Sequence, residues 1–288
     1  MACSRSGIDE ITGFLMGMKK SAGMVLAAMI AIAAMPAAAH AAKCGNDAGG
    51  FPAWIEAFKG EAASRGISRS TLDKAFSNVS YARATIRADR GQKSFKLSLE
   101  QFMQKRGGQA IIRRGKSLKQ QNAALFNRIE ARYGVPAGPL LAIWGMETGF
   151  GSFLGKEHTI SAVATLAYDC RRSEYFTNQL YATLQLVQNG TLSTTARGAA
   201  HGEIGQTQFL PANVLKYGVD GDGNGRIDLV GSKADALAST ANFLRGHGWS
   251  AGAGYQPGQP NFGALQGWNA ASVYQRAIAI IAAEIDGN

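Results

Sequence analysis

Hydrophobic positions along the chain recur at helical rather than strand spacing. Between residues 51 and 76 they fall at Trp54, Ile55, Phe58, Ile67, Leu72 and Phe76, interrupted by Gly60 and Gly66, and predict two short helices. Residues 122–133 predict a helix that leads into residues 135–154, VPAGPLLAIWGMETGFGSFL, where Glu147 is the single charge. Further helices are predicted over 160–168, 174–188, 234–244 and 270–285. Residues 191–205, 220–228 and 246–263 read as loops, and 206–217 carries Pro211. No segment sustains period-two alternation and no internal repeat is visible, so the fold class is mainly α.

The 135–154 stretch organises the rest. Pro136 and Pro139 suit a helix start, Leu140, Leu141, Ile143 and Trp144 form an apolar face, and Gly149 and Gly151 end the helix. Glu147 then falls on the last turn, flanked one turn earlier by Ile143 and Trp144. An apolar flank disfavours the carboxylate and raises its pKa, which suits a general acid near neutral pH. An ordinary helix-end glutamate is the competing reading.

With 288 residues, 46% of them hydrophobic, the chain can build a proper core. Its net charge of +10 favours a polyanionic partner: nucleic acid, an anionic membrane surface or the bacterial wall. Residues 83–119 supply much of that charge, with eleven basic residues against Asp89 and Glu100. Aromatic residues are sparse there and no nucleic-acid motif is present, which argues against nucleic acid. Lys19 and Lys20 precede an apolar run over 22–35, and Ala39-His40-Ala41 has the form of a cleavage site. Residues 1–41 therefore read as a secretory signal peptide, too short to span a bilayer, with Met18 fitting as the initiator. Lys43 before Cys44 argues against lipoprotein processing. The expected location is the periplasm, with no transmembrane anchor. Cys44 and Cys170 then form an even pair in an oxidising compartment, and either a disulfide or two free buried thiols would satisfy the count.

The most legible motif is the acidic loop. Asp220, Asp222, Asn224, the carbonyl of Arg226, and Asp228 occupy the ligand places of an EF-hand calcium loop, with Gly225 sixth. The twelfth place is Gly231 where a bidentate glutamate is expected. Weak structural cation binding follows, with Asp235 closing the shell, and the competing reading is an acidic turn that holds no ion. The block Gly205-Gln206-Thr207-Gln208-Phe209-Leu210-Pro211 offers amides and a hydroxyl that can read sugar hydroxyls without adding charge. Arg171-Arg172 with Tyr175 offers cations beside an aromatic. Trp268-Asn269 and Tyr274 can be core or a sugar platform. His158, His201 and His247 lack metal-ligand spacing, and no nucleophile elbow or Walker loop occurs.

Taken together these pieces resemble the B-type lytic murein transglycosylases, which share the goose-lysozyme-like fold. The resemblance runs from about residue 51 to 285. It rests on Ile143-Trp144-Gly145-Met146-Glu147-Thr148 with Gly151, Ala164-Thr165-Leu166-Ala167, Arg171-Arg172 with Tyr175-Phe176, the 205–211 block, the 220–229 loop, and Asn242 through His247-Gly248-Trp249. It implies a lysozyme-like catalytic core over 134–288 containing the acidic loop 220–235, preceded by a helical part over 42–133. The implied partner is peptidoglycan, approached by a monomer associated peripherally with the wall. The implied reaction cleaves the β-1,4 bond between N-acetylmuramic acid and N-acetylglucosamine and leaves a 1,6-anhydromuramoyl end, with no cofactor for catalysis. Glu147 falls on the catalytic glutamate, acid first and base second. Ordinary glycosidases need two carboxylates, about 5 to 9.5 Å apart, and the resemblance accounts for the lack of an evident second one. By the same matching Gln208 and Asn269 bind sugar, Tyr274 lies close to the acid, and Arg171, Arg172 and Tyr175 face the stem peptide or glycan; the hydroxyl of Thr207 in the 205–211 block is expected as a further sugar contact. Ala199, Glu203 and Phe243 depart from the family pattern. A hydrolytic muramidase and a non-catalytic, calcium-dependent wall-binding protein are the alternatives.

Overall fold

The computed structural model describes residues 43–91 and 97–287, so the signal-peptide expectation for 1–41 lies outside the described residues. α1 (Phe51–Ser64) opens with proline in its first turn and buries Phe51, Trp54, Ile55, Phe58 and Ala62, one stripe of the helix. α2 (Arg69–Phe76) starts at Ser68, whose hydroxyl accepts from the Thr71 amide. The basic segment forms α3 (Arg83–Gly91), α4 (Leu99–Lys105) and α5 (Gly108–Gln121), and a Ser98/Gln101 capping box starts α4. α6 (Ala123–Tyr133) leads to α7 (Ala137–Thr148), α8 (Thr159–Tyr168) and α9 (Ser173–Gln188). α10 (Pro211–Tyr217), α11 (Lys233–Gly246), α12 (Phe262–Trp268) and α13 (Ser272–Asp286) complete the helices.

Two apolar cores result. In one, α1 and α2 pack on α8 and α9 through Phe51, Trp54, Phe58, Tyr168 and Tyr181. In the other, α7 runs through the middle of α5, α6, α11 and α13. Every residue of α7 except Glu147 is buried, which explains why its apolar residues go all round rather than along one face. Gly145 lets α5 come close, since a Cβ there would meet Ile111 at 2.5 Å. Truncating Leu141, fully buried in this helix, belongs with core deletions that cost about 2–5 kcal/mol.

Two elements differ from the sequence reading. α12 begins at Phe262, inside and beyond a stretch read as irregular, because seven residues are too few to display a period. A two-residue antiparallel ladder pairs β1 (Glu157–His158) with β2 (Arg197–Gly198), and such short strands leave no alternation in the sequence. The disulfide is formed: Cys44 and Cys170 are bonded with Cα atoms 4.9 Å apart, closing 126 residues of chain. The two free thiols of the competing reading are thereby excluded.

Candidate active site

Glu147 sits on the last turn of α7 because Gly149 ends the helix there with φ 58°, a left-handed value glycine adopts without strain. Tyr274 Oη donates to Glu147 Oε1 at 2.6 Å and Trp268 Nε1 donates to the same oxygen at 3.0 Å. Burial pushes the Glu147 carboxyl above its ordinary range. The two hydrogen bonds and the charge of Arg106 act against that, and the charge of Glu203 adds to it. Tyr274 is itself pushed well up by burial and by the facing Glu147 charge, so it stays a phenol and a donor. Trp268 is held in place by Phe209 and Phe243, whose rings meet it edge-on at 5.4 and 5.0 Å.

Beside Glu147 lies a cavity of about 240 Å³ lined also by Glu203, Gln208, Phe209, Asn213 and Asn269. It joins a wider one of about 760 Å³ through shared walls at Glu203, Leu210, Trp268 and Asn269, and the wider one is lined by Arg171, Arg172 and Tyr175. A single groove therefore brings together the acid, Gln208, Asn269 and the arginine pair. Gln208 holds a left-handed backbone, φ 58°, which costs a non-glycine residue about 1–2 kcal/mol. Its side-chain nitrogen donates to Gly205 O at 2.8 Å and Leu154 O at 3.3 Å, so the amide oxygen is what it can offer a ligand. Thr207 is the exception among the expected sugar contacts. It is fully buried and its hydroxyl accepts from Thr240 at 3.0 Å, so it holds the loop to α11 and does not face the groove. Tyr274 is likewise buried and reaches the groove only through Glu147.

The arginines are not free cations. Both guanidinium groups pair with Asp89 of α3, a buried carboxylate, while Arg90 pairs with Asp169 at 2.6 Å. Each remains partly exposed on the groove, and Tyr175 is 48% exposed beside them. Sequence reasoning missed Asp89, although an acid among eleven basic residues is a signal in itself. It also missed Trp268 as a partner of Glu147, for which no local signal exists, since 121 residues separate them.

In the acidic loop, oxygen atoms of Asp220, Asp222 and Asp235 lie within 4.8 Å of one another. Backbone amides of Gly225, Gly223 and Asn224 hold the Asp220 carboxyl below its usual range. Asp235 is fully buried at the start of α11 and accepts from the Gly221 and Asp228 amides, which ties the loop's two ends together. The side-chain oxygens of Asn224 and Asp228 likewise accept backbone amides of the loop, from Arg226 and from Val230 and Gly231. All the candidate donors are hard oxygens, which suits calcium.

The fold has counterparts. The transglycosylase SLT domain model matches residues 50–258, and the chain belongs to that family. Its sequence is 36% identical over 147 residues to the membrane-bound lytic murein transglycosylase B of Escherichia coli strain K12, an alignment covering 47% of this chain and 40% of that protein. The chain thus matches less than half the length of that relative. Among solved structures, SltB3 from Pseudomonas aeruginosa in complex with NAG-anhNAM-pentapeptide superposes with a TM-score of 0.77 at 30% identity, covering 83% of this chain and 80% of that one. The lytic transglycosylase Slt35 of Escherichia coli in complex with calcium gives a TM-score of 0.71 at 23% identity over 85% and 96% of the two chains. The fold is the mainly α, lysozyme-like architecture of these enzymes.

Proposed function

We propose that the protein is a lytic murein transglycosylase that cleaves the β-1,4 bond between N-acetylmuramic acid and N-acetylglucosamine and leaves a 1,6-anhydromuramoyl end. The observation that carries this is a carboxyl group raised above its ordinary range by burial, at the wall of a groove formed by two joined cavities. Both donors occupy Oε1 of Glu147, so the transferable proton belongs on Oε2. That proton passes to the leaving glycosidic oxygen. The resulting carboxylate is steadied by Tyr274, Trp268 and the charge of Arg106, and then takes the proton of the muramoyl 6-hydroxyl as that oxygen attacks the anomeric carbon. Gln208 and Asn269 bind the sugars, and Arg171, Arg172 and Tyr175 meet the anionic stem peptide or glycan. Digestion of purified sacculi tests this by mass spectrometry: anhydro ends support it, and reducing ends one water heavier identify a hydrolytic muramidase.

The Tyr274 hydrogen bond favours ionised Glu147. Removing it in Tyr274→Phe raises the pKa of the acid further, so the alkaline limb of kcat/KM, where Glu147 loses its proton, moves to higher pH. A limb that stays in place or moves down would mean that Tyr274 does not act through Glu147.

The protein is read as exported to the periplasm by residues 1–41, with its disulfide suited to an oxidising compartment. Among the described residues no helix is long and apolar enough to cross a membrane. Calcium is read as a structural ion held by Asp220, Asp222 and Asp235, with Asn224, the Arg226 carbonyl and Asp228 supplying further oxygens; its role is to brace the loop rather than to take part in the reaction. For a Kd of about 10⁻⁴–10⁻³ M, about 10 mM calcium should add about 1.4–2.7 kcal/mol, or about 3–10 °C in a chain of this size. A melting temperature identical in chelator and in calcium would mean that the loop binds no calcium in solution.

A further inference from the structure

Glu203 stands where the two cavities join, lining the smaller with Glu147 and the larger with Arg171 and Arg172. Its side chain is 22% exposed, and it forms part of both cavity walls. Both oxygens are fixed by one residue: the His201 amide donates to Oε2 at 2.9 Å and the His201 ring Nδ1 to Oε1 at 3.0 Å. The far ring nitrogen, Nε2, lies 3.5 Å from Asp89 Oδ1, and Asp89 holds both arginines. A continuous chain of charged and polar groups therefore runs from α3 and the arginine pair to the carboxylate that shares a cavity with Glu147.

The environments of the two glutamates push them apart. Burial raises Glu147, and the Glu203 charge adds to the effect. Burial acts to raise Glu203 as well, but the hydrogen bond and charge of His201 outweigh it and hold the group below its ordinary value. Two carboxyls lining one cavity, one pushed up and the other held down, are the arrangement that separates acid from charge-stabilising roles in glycoside cleavage.

We propose that Glu203 is the second carboxylate of the reaction centre: a fixed negative charge that lies against the bound aminosugar and stabilises the positive charge building at its anomeric carbon. The proposal rests on the lytic transglycosylase reading above. Glu203 takes no proton and forms no bond. The glycosidic electron pair leaves with the oxygen that Glu147 protonates, the 6-hydroxyl oxygen supplies the new bond to the anomeric carbon, and its proton returns to Glu147. His201 and Asp89 are positioning residues that aim the Glu203 carboxylate.

The test is the kinetics of Glu203→Gln and Glu203→Asp on purified sacculi, with melting curves and mass spectrometry of the digests. Glutamine keeps the shape and removes the charge, so kcat should fall about 100- to 1000-fold while KM stays within about threefold. Aspartate keeps the charge on a shorter stem and should lose only about tenfold in kcat. A glutamine variant with kcat within threefold of wild type, or with KM alone raised, would reduce Glu203 to a support for His201 and overturn the proposal. Should the glutamine variant not fold, Glu203→Asp decides: lower kcat at unchanged KM supports the role, and raised KM at unchanged kcat overturns it. The wild-type digest is read first, because absence of anhydromuramoyl ends there would overturn the underlying reading and not the assignment of Glu203.

Discussion

Glu147→Gln should lower the release of soluble muropeptides from sacculi by at least about 1000-fold, since proton donation and proton removal both pass through this carboxyl and a single positioned acid or base contributes about 10²–10⁴. Glutamine keeps an oxygen to accept from Tyr274 and Trp268, so the site should retain its shape and the variant should still bind sacculi. Its stability follows from the sign of the pKa shift. A carboxyl raised in the folded state makes that state bind more protons than the unfolded chain does. Stability is therefore lost as pH rises from the unfolded pKa through the folded one. Removing the titrating group removes that loss, so the variant should melt at or above the wild-type temperature at neutral pH. Loss of activity together with a lowered melting point would point to misfolding. Retention of a tenth of the activity would rule out the acid role.

Opening the Cys44–Cys170 bridge should produce the largest stability effect. Closing 126 residues restricts the unfolded chain strongly, and native disulfides of this kind contribute about 2–5 kcal/mol. The double Cys44→Ser, Cys170→Ser variant should melt roughly 5–15 °C lower. The bridge also anchors the groove wall: Gly45 pairs with residues 168–170 through hydrogen bonds of 2.9 and 3.3 Å, immediately before Arg171 and Arg172. Binding to sacculi should weaken along with the melting point. A double variant that melts within about 1 °C of the wild type would show that the packing of α1 and α2 on α8 and α9 suffices without the bond.

Some of this is readable without a structure and some is not. The helical character of residues 135–148 and the place of Glu147 on its last turn follow from prolines, an apolar run and a closing glycine, all within one stretch. The acidic loop is equally local, because its ligand places are set by spacing along the chain. α12 was invisible for the opposite reason: its short amphipathic pattern, anchored by Ala264 and Leu265, is indistinguishable from a loop with a few apolar residues. At Thr207 a hydroxyl beside two amides looks available to a ligand, and nothing local reveals that Thr240 lies over it.

By itself the sequence determined the class of fold, the place of Glu147 on the last turn of its helix and the family, because periodicity, helix ends and motif order are properties of neighbouring residues. Only the tertiary structure decided what surrounds that acid. Trp268 and Tyr274 reach it across 121 and 127 residues, Asp89 reaches Arg171 and Arg172 across 82 and 83, and Glu203 enters the same cavity from a loop. The electric environment of a buried group depends on which distant side chains close over it, and chain spacing carries no record of that.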